Sequence, residues 1–291
     1  MPVWVGPAGS SIRRSMAGLL SVVATPIGNL DDLSPRAARA LERADVIACE
    51  DTRVTRKLLT RVQTRAKLVP YHATNERSRT PELVRRVSAG ERVALVTDAG
   101  TPGISDPGHR LVEACADAGL RIEIIPGPSA PIAALVLSGL PSARFVFEGF
   151  LPRTATARRR RLRDLAREPR TLVLFESPHR LADSIEDMLA ILGDRRAAVV
   201  RELTKIHEEA RRGKLSELLE SVRDGVRGEV TLVVEGVGDE EEPHAESADV
   251  LERLRALIAG GATKKDAIAS VASDLGVSKK DVYRIAIEGK L

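Results

Sequence analysis

A chain of 291 residues is long enough for about two domains and a small appendage. Hydrophobic residues make up 43% of it but aromatics only 2%. The core must therefore come from Val, Leu, Ile and Ala, and no apolar run approaches the roughly 18 residues that cross a bilayer. Cys49 and Cys115 lie far apart without a CxxC, so neither a disulfide framework nor a zinc site is indicated, and a cytoplasmic protein is expected.

Residues 1–15 carry Gly, Pro, Ser and the sole tryptophan, Trp4, without periodicity. They are expected to be disordered or foreign to the native chain, with Met16 as the functional start. Arg13 and Arg14 ahead of Ala17–Ala24 outline a signal peptide. That stretch runs straight into a turn with no small-residue cleavage site, so it reads as a first strand. Strands are predicted over Leu19–Ala24, Asp45–Cys49, Lys67–Tyr71, Arg92–Thr97, Arg121–Ile125, Arg144–Phe150, Thr171–Phe175, Ala197–Glu202 and Glu229–Glu235. Helices are predicted over Ser34–Ala44, Pro81–Ala89, Gly108–Ala118, Ala130–Ser138, Leu181–Leu192 and Leu215–Val222. The alternation predicts an α/β protein with largely parallel pairing.

A first αβ domain is expected over 16–127, closing at Pro126-Gly127-Pro128, and a second over 128–237. Residues 238–247 read as an acidic linker. Residues 248–291 contain no strand-like run. Thr263-x-x-Asp266 and Ser278-x-x-Asp281 have the form of helix-capping boxes, with Leu275-Gly276-Val277 as a turn between them. This segment reads as a helix-turn-helix-like domain with basic residues for nucleic acid, or equally as a helical packing appendage.

Five loops at strand ends are rich in Gly, Pro or polar residues. They are 24–30, Cys49-Glu50-Asp51-Thr52-Arg53, 98–108, Pro126-Gly127-Pro128-Ser129-Ala130 and Glu176-Ser177-Pro178-His179-Arg180. The third packs three glycines, two prolines and two aspartates into eleven residues. Such a loop permits close backbone approach, and it places the Asp98 carboxylate where open α/β sheets bind ligands. Read blandly, it is a Gly/Pro turn with capping aspartates. Ser129 opens a helix whose free N–H groups suit a ligand carboxylate. There is no GxGxxG, no P-loop, no Gly-x-Ser-x-Gly and no metal-spaced His/Asp set, so dinucleotide binding and ordinary hydrolase chemistry fit poorly.

Net charge is only +4, but Arg153 to Arg170 holds eight arginines against Asp164 and Glu168. That local excess is the footprint of phosphate binding, or else a solvated helix face. Aromatic stacking platforms are scarce, with only Tyr71 and Phe150 in plausible places.

In this order the stretches VATPIGNLDDLSPRA (23–37), ADVIACEDTR (44–53), YHATNE (71–76), VTDAGTPGISDPG (96–108), IPGPSA (125–130), FEGFLPR (147–153), LFESPHR (174–180), RELTKIHEE (201–209) and GEVTLVVEG (228–236) resemble the tetrapyrrole-methylase superfamily of S-adenosylmethionine (SAM) enzymes. The resemblance is closer still to its ribosomal RNA branch, the 16S rRNA cytidine 2′-O-methyltransferases. It spans nearly all of residues 19–237. It implies a two-domain, class III SAM-methyltransferase fold with a small C-terminal helical domain, SAM bound in the cleft between the αβ domains, and a homodimer. By the same resemblance, Pro26, Asp98, Ala99, Gly100, Ser129, Ala130, Phe175, Leu203, Glu229 and Thr231 line that cleft.

The implied reaction is in-line methyl transfer to a ribose 2′-hydroxyl of 16S rRNA, free or in the small ribosomal subunit. A weakly acidic hydroxyl calls for a base or a cationic stabiliser. Glu50, His72, Glu76, His179, Arg180 and Lys205 are the candidates, and the residues do not choose among them. Arg153, Arg158, Arg159, Arg160, Arg161, Arg163, Lys279 and Lys280 are the candidate RNA contacts. The competing readings are a tetrapyrrole methyltransferase of the same fold and a DNA-binding regulator. The basic segment argues against the first, and the five loops against the second.

Overall fold

The computed structural model describes residues 18–237, 247–275 and 279–289. The predicted N-terminal extension lies outside them, as do the acidic linker up to residue 246 and most of the predicted turn at 275–277.

The first half runs β1 (Leu19–Val23), α1 (Pro35–Glu42), β2 (Val46–Cys49), α2 (Thr52–Leu59), β3 (Lys67–Pro70), α3 (Glu76–Ser88), β4 (Arg92–Val96), α4 (His109–Asp117) and β5 (Arg121–Ile125). Its strands form one parallel sheet in the order β3-β2-β4-β1-β5. β1 and β2 are buried along their whole length, as expected for parallel strands sandwiched between helices. Leu20, Val22 and Leu95 pack with Leu83 and Leu111 on one face. Val23, Ile47 and Val96 pack with Leu41 and Leu58 on the other. Ser34 caps α1 by accepting the Ala37 N–H at 3.1 Å, with Pro35 at its first turn.

Helix α3 starts at Glu76 and takes Pro81 inside, although the sequence places its start at Pro81. A tertiary anchor holds the earlier turn. The buried Tyr71 hydroxyl meets Thr80 Oγ1 at 2.9 Å, and Thr80 donates to the Glu76 carbonyl. Tyr71 is therefore core, not a stacking platform.

The second half runs α5 (Ala130–Ser138), β6 (Phe145–Phe150), α6 (Ala155–Asp164), β7 (Thr171–Glu176), α7 (Leu181–Leu192), β8 (Arg196–Arg201), β9 (Glu209–Lys214), α8 (Leu215–Val222) and β10 (Val230–Val234). Its sheet has the order β6-β7-β10-β8-β9. Only β6 and β7 pair in parallel; the remaining pairs are antiparallel, which corrects the parallel expectation for this half. β7 and β8 run the same way, joined across by α7, and β10 slides between them in the opposite direction. β9 has the sequence EARRGK and no apolar alternation, so the sequence hides it. It is an edge strand whose charges pair locally, Arg201 and Arg211 both with Glu209.

Helices α9 (Ser247–Ala259), α10 (Lys264–Leu275) and α11 (Lys279–Glu288) share a core of Val250, Leu254, Ile268, Val271, Val282 and Ala286. Thr263 Oγ1 accepts the Asp266 N–H at 3.2 Å, the predicted cap.

Candidate functional site

The loops after β1, β4 and β7 converge with the start of β10 and the start of α5 around a cleft of about 370 Å³, within the range of small-molecule sites. Sheet register brings them together. Antiparallel pairing sets Val230 opposite Glu176 and Thr231 opposite Phe175, so the beginning of β10 meets the end of β7. In the first half, Thr25 and Gly100 exchange backbone hydrogen bonds of 2.9 and 3.1 Å, tying the first loop to the third. The third loop turns through positive φ at Gly100, Gly103, Ser105 and Gly108. A Cβ on Gly108 would stand 3.0 Å from the Gly103 nitrogen, so only glycine closes the loop there without a shift.

Of the residues implied by the resemblance, Ala99, Gly100, Ser129, Ala130, Phe175, Leu203, Glu229 and Thr231 line the cleft. Pro26 does not; it is buried, and its neighbour Ile27 takes the place on the wall. Asp98 does not either. Because β2 and β4 are adjacent, their ends lie side by side, and Asp98 Oδ1 accepts the Asp51 N–H at 3.0 Å. Ile104, Asp106, Glu176 and Val230 line the cleft without having been singled out as ligand contacts, and so does Phe150, which the sequence offered only as a stacking residue. Each lies within a quoted stretch, but which way a loop side chain points has no one-dimensional signal.

The wall chemistry suits a nucleoside joined to an amino acid. α5 begins at the cleft with Ser129 as its cap residue, and the Ser129 side chain makes no capping bond. The positive helix end is therefore left for an anion. Pro131 in the first turn lowers the number of free N–H groups. Leu203, Val230 and Phe175 supply apolar wall. The Phe175 ring lies 5.2 Å from Phe147 and 5.4 Å from Phe150, centroid to centroid.

None of the six acid–base candidates lines the cleft. Glu50 at the end of β2 has its carboxyl raised by burial and by the Asp98 charge. The His72 ring sits within its own turn, with Nδ1 2.8 Å from Thr74 Oγ1 and Nε2 3.0 Å from Asn75 Nδ2. Glu76 stands 3.8 Å from Arg110. His179 is exposed beyond the cleft edge. Arg180 donates to the Leu151 and Pro152 carbonyls at 3.0 and 2.9 Å and lies 3.5 Å from Glu176, strapping two loops together. Lys205 donates to Glu202 at 2.8 Å and Glu229 at 3.2 Å. Burial alone would lower its pKa, but the two carboxylates carry it above the ordinary value, so it stays charged.

The acidic side of the cleft is different. Asp106 is pushed up to about 6 by burial and by the charges of Glu50 and Asp98. Asp98 is itself raised, chiefly by burial. Asp51 beside them is held down at about 2 by Arg53, which lies 2.6 Å away.

The basic segment divides in two. Arg158 on α6 is buried at 5% exposure, and its guanidinium sits 2.7 Å from Asp187 on α7. It is a structural ion pair and not a phosphate contact. Arg159 shares Asp187 at 2.6 Å, and Arg161 pairs with Glu148 at 2.7 Å; both remain partly exposed. Arg153, Arg160 and Arg163 are exposed, with no ion pair among the described residues. Lys279 is exposed on α11, while the Lys280 side chain lies outside the described residues. Among the described residues, no helix is long and apolar enough to cross a membrane.

Residues 19–219 match the family model of the tetrapyrrole (corrin/porphyrin) methylases. A ribosomal RNA small subunit methyltransferase I from Halalkalibacterium halodurans is 45% identical over 94% of this chain and 96% of its own. The protein of that name from Mycobacterium tuberculosis H37Rv is 46% identical over 94% and 96%. The crystal structure of a Thermus thermophilus uroporphyrin-III C-methyltransferase complexed with S-adenosylhomocysteine superposes with a TM-score of 0.52 at 24% identity. That match covers 75% of this chain and 97% of the other, a likeness of fold. With a family match over residues 19–219 and close relatives along nearly its whole length, the chain belongs to the tetrapyrrole (corrin/porphyrin) methylase family, in the branch of the ribosomal RNA small subunit methyltransferases I.

Proposed function

We propose that this protein transfers a methyl group from SAM to a ribose 2′-hydroxyl of a cytidine in 16S rRNA, acting as a cytoplasmic homodimer on the small ribosomal subunit or its RNA. The observation that carries the reading is one cleft with an uncapped helix end and an apolar wall, in a chain 44–46% identical to rRNA small subunit methyltransferases. SAM brings the reactive methyl group; the chain binds, orients and manages one proton. Ser129 and the first N–H groups of α5 would hold the methionine carboxylate. Phe175, Leu203 and Val230 would enclose the adenine, with Gly100 allowing close backbone approach.

In this reading 16–127 and 128–237 are two αβ domains meeting at the cleft, and 248–291 is a helical RNA-binding unit. Arg153, Arg160, Arg163 and Lys279 carry phosphates. Two features support a second copy: β5 is an edge strand with exposed Ile124, and α5 presents Ile132 and Val136 one turn apart, Val136 at 70% exposure. The test is methyl transfer from labelled SAM to small subunits and to naked 16S rRNA, with the modified ribose mapped. Label in a base, or in no RNA at all, would overturn the reading.

A further inference from the structure

Three carboxyl side chains line the cleft, and two of them are already engaged. Glu176 accepts the Ser177 N–H at 2.8 Å and the Ser184 hydroxyl at 2.7 Å, and Arg180 lies 3.5 Å away. Glu229 is bound by Lys205. Asp106 makes no hydrogen bond or ion pair among the described residues. It is half-buried in the cleft wall, next to the exposed Ser105 and two residues from Ile104, which line the same cleft. Gly149 at the bulge of β6 packs so closely on this loop that a Cβ there would stand 2.9 Å from Ser105 Oγ. That contact sets Phe150, 58% exposed, on the same rim. A nucleotide stacked on Phe150 would bring its ribose to the loop that carries Asp106.

We infer that Asp106 is the base of the transfer, accepting the proton of the ribose 2′-hydroxyl as the methyl group arrives. This rests on the proposed function above. The O–H bond breaks with its proton passing to Asp106 and its electron pair forming the O–CH₃ bond. The S–CH₃ bond breaks with its pair remaining on sulfur. The sulfonium and carboxylate charges vanish together, and the protonated Asp106 returns its proton to water when the products leave.

The surroundings suit the role. The groups facing Asp106 are Glu50 from the end of β2 and Asp98 from its own loop; Glu176 and Glu229 face the cleft from the second sheet. Burial first, and then the charges of Glu50 and Asp98, raise Asp106 to about 6, which makes it a stronger base than a free aspartate while leaving it ionised at neutral pH.

The test compares wild type with Asp106→Asn in single-turnover methyl transfer to the RNA substrate between pH 5 and 9. SAM affinity is measured by calorimetry and Tm is followed against pH. The expected result is a rate loss of about 10²-fold or more, loss of the acid limb of the wild-type profile, and SAM affinity within about threefold. A carboxyl raised on folding costs stability above its folded pKa, so the Asn variant melts higher at pH 8. That gap closes as pH falls below about 4. An Asn variant with its rate within tenfold of an active wild type, or with SAM affinity falling as far as its rate, overturns the assignment. A wild type that methylates no RNA overturns the parent reading instead. The pH dependence of Tm then still reports whether the Asp106 carboxylate is unpaired.

Discussion

At the scale of single residues, exposure and pairing separate groups that look alike in the sequence. Arg158 and Arg160 are neighbours on α6, yet one is buried on Asp187 and the other stands in solvent. Arg158→Ala would leave Asp187 with Arg159 alone in a buried setting, and an unfolding loss of roughly 3 kcal/mol is expected in a denaturant titration. Arg160→Glu and Arg163→Glu should leave Tm unchanged and weaken binding to 16S rRNA. Each should flatten the salt dependence of the affinity by roughly one counterion, read by filter binding at several salt concentrations. Ser129→Trp would fill the mouth of the α5 N-terminus, so SAM binding by calorimetry should be lost. Asp98→Ala, outside the wall, should weaken SAM binding far less, because its carboxylate braces the Asp51 backbone.

At the scale of elements, most of the first sheet could be read from the chain. Apolar runs such as Val46–Cys49 and residues 93–96, set between helical stretches, leave few alternatives to buried parallel strands. The second sheet was harder. β9 is stabilised by ladder bonds to β8 and by Arg–Glu pairs, none of which appear as hydrophobic periodicity. α5 does two things at once, presenting its N-terminus to the cleft and Ile132 with Val136 to the outside. If a second copy covers that face, Val136→Asp should give a monomer by light scattering. It should also weaken SAM binding, since the helix that carries Ser129 loses its support.

At the scale of the whole molecule, charge is distributed by function and not by its sum. An acidic rim faces the cleft, and unpaired arginines stand on α6. Acid should destabilise the fold through the paired carboxylates. Asp51 and Glu168 are held at about 2 against ordinary values of 3.8 and 4.5. The stability they contribute is complete above those ordinary values and is lost as pH falls toward 2, so Tm should drop across that window. Their arginine partners are exposed, so solvent screening discounts both pairs, and buried Asp187 adds to the drop. Burial pushes Asp187 up, but Arg158 and Arg159 bring it below its ordinary value.

The order of apolar runs, turn residues and caps along the chain was enough to determine an α/β layering, a helical C-terminal segment and loops at strand ends that could hold a ligand. These depend on neighbours within a few residues. Tertiary structure alone decided which carboxylate stands free in the cleft, which arginine is buried and how β10 runs between β7 and β8. Those outcomes depend on strand register and on contacts between residues dozens of positions apart, such as Arg158 with Asp187 and Gly149 with Ser105, which no local pattern encodes.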